Sequence, residues 1–313
     1  MAGVAIVIGN GFDLDMKLPT KYSDFIKSPE WENIVKRVES FLISPDYREH
    51  SLVAQLQFAS TDLMWFDIET EIHKFVENHK NNTLQAIGEI KWEFELIKEG
   101  LAKYLRRVSQ YRQKEKDRLS FQLLFLLQKC PLTITEIFFN YTDPKLFMPA
   151  NMYYAKLCSY TYVHGSLQNN DIVLGCDIQE GEEVNRQLSF MYKYNMLNKA
   201  NHVARNILEA KEIIFFGHSI NEMDFGYFRE FFKSASASPD PIRHLTIITY
   251  DEESERNIKD NMRNQGISVT DLYSNLFTFS FIHTSKFYEK DGKEIKAWQD
   301  LISRLLAEDR MGV

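Results

Sequence analysis

Several short segments, far apart in the chain, end in groups of the kind that a nucleotide site uses. In chain order they are Gly9-Asn10-Gly11, Asn140, His164, Gly217-His218-Ser219 and Asp224. Glycines let a ligand approach the main chain and its N–H donors. An amide side chain both donates and accepts hydrogen bonds, and an imidazole exchanges protons near neutral pH. Taken singly, each is also explained by a turn, a strand end or a helix cap. Their recurrence predicts one site built from separate parts of the chain.

The elements that must position these groups are β-strands, because most of the groups directly follow an apolar run. Strands are predicted at residues 4–8, 134–139, 160–163, 172–174, 212–216, 245–249 and 277–282. Helical patterns lie between several of them, at residues 186–209, 222–234, 253–264 and 292–306. Such alternation is typical of a mostly parallel α/β sheet covered on both faces. The carboxyl ends of its strands share one edge, which is where open α/β sheets bind ligands.

A long stretch after the first strand is helical instead. Residues 28–128 contain no strand pattern, and apolar side chains recur at spacings of three and four between Ile87 and Val108, as in an amphipathic helix. Residues 119–127 are apolar on nearly every side, which predicts a deeply packed helix. We therefore expect one domain, residues 1–313, in which residues 28–128 form a large all-helical insertion or cap.

Composition restricts the classes of protein to consider. The chain has 313 residues, of which 44% are hydrophobic and 26% charged, and its net charge is −7. This is the composition of a soluble globular protein with poor general affinity for the nucleic-acid backbone. The start lacks the pattern of a signal peptide or a membrane span, and the three cysteines have no metal-binding spacing. We expect a cytoplasmic protein with no metal site and with neither a membrane nor a nucleic acid as partner.

One familiar nucleotide site is disfavoured by the residues that follow the first strand. The third glycine of the dinucleotide fingerprint is missing after Gly9 and Gly11, and no acidic residue closes a short βαβ unit about 20 residues further on. A simple dehydrogenase-type site is therefore not expected.

The opening segment resembles the signature of a known family. Ile8-Gly9-Asn10-Gly11-Phe12-Asp13-Leu14, with Leu18-Pro19-Thr20 and Tyr22-Ser23-Asp24-Phe25 after it, is similar to the start of the AbiH family of bacteriophage abortive-infection proteins. Later blocks resemble that family's in the same order: Trp65-Phe66-Asp67-Ile68-Glu69, Phe139-Asn140-Tyr141-Thr142, Val163-His164-Gly165-Ser166-Leu167, and Gly217-His218-Ser219 with Asp224. The resemblance covers most of the chain and is less clear in the tail.

That family is in turn distantly similar to the SIR2-like (sirtuin-like) NAD-binding fold, so the resemblance implies a Rossmann-like, SIR2/DHS-like sheet with a helical insertion. Some SIR2-like defence effectors hydrolyse NAD. In those effectors an Asn at a strand end and a His before Gly serve the reacting ribose, and Asn140 and His164 match them by type and order. The zinc held by clustered cysteines in deacetylase sirtuins has no counterpart here, which weakens protein deacylation as the activity.

The resemblance implies roles in binding and cleaving NAD. His164 would act as the base toward a water or a ribose hydroxyl, and Asn140 would hold the ribose or that water. The backbone N–H groups of Gly9, Asn10 and Gly11 would meet the pyrophosphate. Asp13 would face the ribose or the nicotinamide amide. The candidate cofactor-binding residues are Gly9, Asn10, Gly11, Phe12, Asp13, Thr20, Gly217, His218, Ser219 and Asp224, with Asp251 as a weaker candidate.

Different interpretations of function stay open at this point. The first is an antiphage effector that binds and hydrolyses NAD, and the second is a non-catalytic nucleotide sensor that signals to a partner protein. A nuclease or other toxin is a third, against which the acidic charge balance counts. The sequence leaves open whether the chain assembles with copies of itself or with another defence protein. It also leaves open whether Trp65, Asp67 and Glu69 anchor the insertion or supply a second carboxylate to a cleft.

Overall fold

Six parallel strands form one sheet in the part of the chain that the structure, a computed structural model, describes. The described residues are 3–41, 50–62, 67–79, 87–110, 115–143, 158–178, 183–193 and 197–307. The strands are β1 (Gly3–Ile8), β2 (Thr133–Phe138), β3 (Cys158–Tyr162), β4 (Ala210–Phe216), β5 (Asp240–Thr249) and β6 (Leu276–His283). Every neighbouring pair is parallel. The structure thus confirms the predicted Rossmann-like α/β class.

The strand predicted at residues 172–174 is wrong. The amide of Val173 donates to the carbonyl oxygen of His164 at 2.8 Å, and the chain then makes only an isolated bridge, between Cys176 and Tyr192. An apolar run of three residues between turns is too short to form a ladder with a neighbouring strand. Its backbone groups are satisfied within a loop instead.

The strand order is β3-β2-β1-β4-β5-β6. β1 lies between β2 and β4, and Ile8 at its end is level with Phe138 on one side and Phe216 on the other. The chain builds the sheet outward from β1 in one direction and then from β4 in the other, so the order reverses beside β1. In open α/β sheets, ligands bind outside the carboxyl ends of the strands at such a reversal. The turns that follow β1 and β4 therefore occupy the expected position of a ligand site.

Helices fill the connections between the strands. Those of the described residues are α1 (Asn10–Asp15), α2 (Tyr22–Ile26), α3 (Pro29–Phe41), α4 (Leu52–Asp62), α5 (Ile68–Asn78), α6 (Ile87–Ser109), α7 (Leu119–Leu127), α8 (Leu197–Glu209), α9 (Arg229–Ala237), α10 (Glu252–Asn264), α11 (Val269–Asn275), α12 (Thr284–Tyr288) and α13 (Gly292–Leu306). Short 3₁₀ helices cover Arg186–Met191 and Phe225–Tyr227. Within these ranges, no helix is both long and apolar enough to cross a membrane.

The predicted helices differ in how closely they match. The helices predicted at residues 253–264 and 292–306 are confirmed as α10 and α13. The pattern at residues 186–209 is divided between a 3₁₀ helix and α8, and the pattern at residues 222–234 begins as a 3₁₀ helix before α9. The short helices α1, α2, α11 and α12 were not predicted from the sequence.

The chain divides into two compact units. The first comprises Met1–Leu18, Arg112–Val163 and Met196–Val313, and it contains the whole sheet. Its core joins side chains of β1, β2, β4 and β5 to those of α7 and α13. All residues of α7 are buried or half-buried, as its apolar sequence predicts. This helix, which lies within the predicted insertion, packs in the core of the sheet unit.

The second unit comprises Pro19–Tyr111 and His164–Asn195 and contains α2 to α6. It has its own aromatic core, in which the ring of Phe25 lies 5.5 Å from that of Trp31 and 5.7 Å from that of Tyr104. The buried carboxylate of Glu93 on α6 accepts hydrogen bonds from the Ser51 hydroxyl and the Val53 amide at 2.9 Å each. These bonds satisfy the start of α4, where backbone donors lack helical partners.

Candidate functional site

Two glycine-containing turns meet where the strand order reverses. Gly9 and Gly11 follow β1, and Gly217 follows β4. A Cβ added to Gly9 would lie 2.6 Å from the carbonyl oxygen of Gly217, and one added to Gly11 would lie 2.6 Å from its Cα. Gly217 also has a φ of +62°, in the left-handed region that favours glycine. Side chains at these positions would force the two turns apart, so the glycines are needed for the contact itself.

The amide hydrogens of the first turn are engaged within the protein. Gly9 donates to the carbonyl oxygen of Phe216 at 2.9 Å, Gly11 to that of Gly217 at 2.9 Å, and Phe12 to that of Gly9 at 3.0 Å. Gly9 and Gly11 are thus explained by the packing of the turns, and their amides are not spare donors for a pyrophosphate. Asn10, which starts α1 and is exposed, is the residue of this turn for which a pyrophosphate contact stays a prediction.

A carboxyl, an amide and a hydroxyl group meet beside these turns. Asp13 lies in the first turn of α1, and Asn140 and Thr142 follow the end of β2. Nδ2 of Asn140 donates to Oδ1 of Asp13 at 3.0 Å and to Oγ1 of Thr142 at 2.9 Å. The Thr142 hydroxyl donates to Oδ2 of Asp13 at 2.5 Å. These residues, which we call the Asp13 cluster, are 1%, 4% and 1% exposed in chain order.

The carboxyl group of the Asp13 cluster is poised to exchange a proton. Burial raises the pKa of Asp13 from 3.8 to about 7, against the opposing effect of the hydrogen bonds from Thr142 and Asn140. Both of these partners are neutral, so no countercharge compensates for the loss of solvation of the carboxylate. Asp13 is therefore present in both protonation states near neutral pH, a property that is common among residues of functional sites.

The side-chain oxygen of Asn140 is buried and has no hydrogen-bond partner among the residues that the structure describes. Leaving a buried acceptor without a donor costs about 1–3 kcal/mol, and native proteins rarely do so without a functional reason. The Nδ2 group of the same amide is already used twice. A ligand or water molecule that donates a hydrogen bond is therefore the natural partner of this oxygen.

His218 and Asp224, both predicted to bind the cofactor, face each other. Nδ1 of His218 accepts a hydrogen bond from the Ile220 amide at 2.9 Å, so the neutral ring carries its hydrogen on Nε2. Nε2 lies 3.6 Å from Oδ2 of Asp224. The imidazole also packs edge-on against Phe139 and Phe228, at centroid distances of 4.4 and 5.2 Å. The pair thus orders the turn after β4, and its contact with a ligand stays a prediction.

His164, the predicted base, belongs to the second unit. It is 4% exposed and lies close enough to Glu69 for its positive form to lower the pKa of that carboxyl. Nζ of Lys193, whose side chain is 0% exposed, donates to Oε2 of Glu69 at 2.8 Å. Burial nevertheless raises the pKa of Glu69 above its ordinary value, with Lys193 and His164 opposing. Glu69 thus lies in a buried charged group formed by the helices and loops of its own unit.

Other predicted site residues have clear structural positions. Phe12 is fully buried, and its ring packs edge-on against Phe216 at 5.1 Å, so its side chain serves the core. Thr20 is buried in the second unit. Ser219 is exposed on the turn after β4. Asp251 caps α10 by accepting from the Ser254 amide at 2.8 Å.

Three further predicted residues lie in the block before and at the start of α5. Asp67 caps this helix by accepting from the Glu69 amide at 3.1 Å. Trp65, named with these two acids, lies outside the described residues. The Asp67 carboxylate is therefore used within its own unit.

Two residues of these groups escaped the sequence analysis. Thr142 stands in a segment whose Asn, Asp and Pro are typical of a turn, so its hydroxyl carried no separate signal. Lys193 lies in a loop, and its partner is distant in the sequence. An isolated lysine is normally solvated, and nothing in the local pattern indicates that this one is buried.

Within the described ranges, no group of three or more His, Cys, Asp and Glu residues is arranged to hold a metal ion.

Comparison with known proteins gives one finding. The family model described as bacteriophage abortive infection AbiH matches residues 5–242, a range that begins within β1 and includes β2 to β4 and the whole Asp13 cluster. No curated protein and no solved structure matches the chain.

Proposed function

We propose that this chain, which belongs to the bacteriophage abortive infection AbiH family, binds NAD at the carboxyl edge of its sheet and hydrolyses the bond between nicotinamide and ribose. The reaction converts NAD and water into nicotinamide, ADP-ribose and a proton. Loss of NAD would halt metabolism in an infected cell, which is one way for an abortive-infection protein to stop phage growth. The proposal includes a distant relationship to the SIR2-like NAD-binding fold.

The observation that carries this proposal is the buried oxygen of Asn140, which has no hydrogen-bond partner among the residues that the structure describes and lies near the reversal of the strand order. A polar acceptor at that edge is suited to a ribose hydroxyl, and nucleotides bind to open parallel sheets at this place. The proton-exchanging carboxyl of Asp13 lies 3.0 Å from the same amide. Because the oxygen is covered in the structure, a ligand reaches it only when a neighbouring side chain moves.

The chemistry asks little of the protein beyond placement and charge. Cleavage passes through an oxocarbenium-like centre, as in glycoside hydrolysis, and nicotinamide leaves as a neutral group without needing a proton. The protein has to orient the ribose and present a water to the opposite face. Asn140 would do the first by accepting from a ribose hydroxyl through Oδ1. The partial negative charge on that oxygen also favours the developing positive charge on the sugar.

His164 is proposed as the base that receives a proton from the water or from a ribose hydroxyl. His164 lies in the electrostatic range of the buried carboxyl of Glu69, which pairs with Lys193 within the second unit. This role rests on the resemblance to SIR2-like effectors, and a substitution of His164 tests it separately from the role of Asn140.

The test is nicotinamide release from NAD by the purified full-length protein, measured by chromatography. We expect release by the wild type and a fall of about 100-fold for Asn140→Ala, the usual cost of losing one oriented polar group. Asn206→Ala is the matched control, because that amide lies on α8 and bonds to His202. Release by Asn140→Ala at the wild-type rate would remove Asn140 from the site.

The same experiment separates the catalytic interpretation from that of a sensor. A wild-type protein that retains NAD but forms no nicotinamide would be a nucleotide-binding signalling protein. A wild-type protein that neither retains nor cleaves NAD contradicts the proposed function.

A further inference from the structure

We propose that Asp13 and Thr142 are positioning residues that lock the Asn140 amide in one orientation, so that this position of the site accepts a hydroxyl donor of a ribose and rejects an anionic group. This inference deepens the proposed function and rests on it for the identity of the ligand. The orientation itself follows from the contacts of the Asp13 cluster.

The first step concerns the two hydrogens of the Asn140 amide. One is donated to Oδ1 of Asp13 at 3.0 Å and the other to Oγ1 of Thr142 at 2.9 Å. Thr142 is free to accept because its own hydrogen is donated to Oδ2 of Asp13. Turning the amide over would place its oxygen against the Asp13 carboxylate and would break both bonds. The ionised cluster therefore permits one orientation of the amide.

The orientation of the Asn140 amide determines which group of a ligand it can bind. The locked amide turns its carbonyl oxygen, and not its NH₂ group, away from Asp13, and that oxygen has no partner among the described residues. A carbonyl oxygen accepts and cannot donate. A phosphate or carboxylate oxygen would be repelled there, whereas a sugar hydroxyl donates readily. The lock thus selects the sugar part of a nucleotide for this position.

The charge of Asp13 controls the lock. The lock requires the ionised form of Asp13. A protonated Asp13 carboxyl would itself donate a hydrogen bond and would compete with Asn140 for Oγ1 of Thr142. Burial raises the pKa of Asp13 to about 7, and the hydrogen bonds from the neutral side chains of Thr142 and Asn140 oppose this rise. About half of the molecules therefore carry the lock at pH 7, and this fraction rises toward one at higher pH and falls at lower pH.

The test compares Asp13→Asn with wild type by calorimetric titration at pH 8, using ADP-ribose because it lacks the bond to nicotinamide. An asparagine at position 13 supplies an NH₂ group that can bond to either orientation of Asn140, so the lock is lost. We expect the dissociation constant to rise at least about tenfold, the factor that corresponds to one lost hydrogen bond. Asp15→Asn is the matched control, since Asp15 is a buried acid of the same helix that bonds to Ser120 and Tyr288. Its dissociation constant should stay within twofold of wild type.

A second measurement keeps the orientation testable if ADP-ribose fails to bind. In ¹⁵N-labelled wild type at pH 8, both side-chain amide hydrogens of Asn140, assigned with Asn140→Ala, should exchange slowly with solvent. They should exchange faster in Asp13→Asn and in wild type at pH 6. Absence of ADP-ribose binding with this protection present would overturn the proposed function alone. Protection that is unchanged by Asp13→Asn, or tight ADP-ribose binding by that variant, would overturn the lock.

Discussion

Asp13 in the sheet unit and Glu69 in the helical unit are both buried carboxyl groups whose pKa burial raises, but their partners differ in charge. Asp13 has two neutral partners, Asn140 and Thr142. Glu69 has the fully buried ammonium group of Lys193 at 2.8 Å. Burial is the largest influence on both carboxyls, but at Glu69 a cation opposes the rise in pKa, whereas at Asp13 only neutral hydrogen-bond donors do.

This difference in partners indicates which of the two carboxyl groups can gain or lose a proton near neutral pH. The neutral setting of Asp13 leaves its charge free to change near pH 7, and the oxygen of the neighbouring Asn140 amide has no hydrogen-bond partner in the described part of the chain. The ion pair of Glu69 ties α5 to the loop that carries Lys193. We infer that the Asp13 cluster responds to protons and ligands, whereas the Glu69 pair maintains the shape of its unit around His164.

The largest predicted effect is that of His164→Ala, because His164 is the proposed base and lies near Glu69. We expect nicotinamide release to fall by about 10²–10⁴-fold, the usual contribution of a general base, with little change in the unfolding temperature. His202→Ala, an exposed histidine on α8, is the control. Unchanged turnover would limit the role of the His164 side to structure.

The next largest effect is a pH-dependent gain in stability for Asp13→Asn. The pKa of Asp13 is higher in the folded protein than in the unfolded chain, so the folded form binds the proton more tightly. The stabilisation from this proton is complete at low pH and is lost as the pH rises from about 4 to about 7, a change of about 4 kcal/mol in the free energy of unfolding. The free energy of unfolding of Asp13→Asn, measured relative to that of wild type, should therefore rise by about this amount between pH 4 and pH 8.

Urea unfolding of both proteins at several pH values measures this difference and cancels the groups that they share. A difference in stability that stays constant from pH 4 to pH 8 would show that Asp13 is ionised like an ordinary surface acid.

In the helical unit, Glu69→Ala should destabilise the protein by about 3 kcal/mol, because it removes the carboxylate to which the buried ammonium group of Lys193 donates. Replacing both residues by methionine should recover most of that loss, as is common for buried ion pairs. Glu99→Ala, on an exposed position of α6, should change stability by less than about 0.5 kcal/mol. Equal losses for Glu69→Ala and Glu99→Ala would mean that the ion pair contributes nothing.

The smallest predicted effect sharpens the description of the Asp13 cluster. Thr142→Val keeps the shape of the side chain but removes the donor to Asp13, so the affinity for ADP-ribose should fall by about fivefold, or about 1 kcal/mol. Titration calorimetry at pH 8 measures this change. An unaltered affinity would leave Asp13 alone as the residue that orients Asn140.

Much of the sheet was predictable because its strands are apolar runs that end in glycine or polar residues, as at β1 and β4. The run at residues 172–174 has the same composition but is too short to pair, and its loop position depends on the carbonyl oxygen of His164. The local sequence pattern therefore predicted the strands that are long enough to form ladders. It failed at residues 172–174, where Val173 bonds to a loop carbonyl group instead of to a neighbouring strand.

The candidate site was predictable to a lesser degree. Asn140 and Asp13 stand in motifs, and the sequence singled out both. Their mutual bond and the part played by Thr142 depend on how α1 meets the end of β2, which no local spacing encodes. Glycines were expected to bind a ligand with their amides, whereas Gly9 and Gly11 serve a backbone contact with Gly217. Glu69 pairs with Lys193 within its unit, and a second role as a carboxylate in a cleft stays a prediction.

The most direct test of the central claim is a crystal structure of the protein with ADP-ribose bound. We expect a ribose hydroxyl at hydrogen-bonding distance, about 2.7–2.8 Å, from Oδ1 of Asn140, beside the turns that follow β1 and β4. A nucleotide bound elsewhere, with Asn140 still enclosed or paired only with a water molecule, would contradict it.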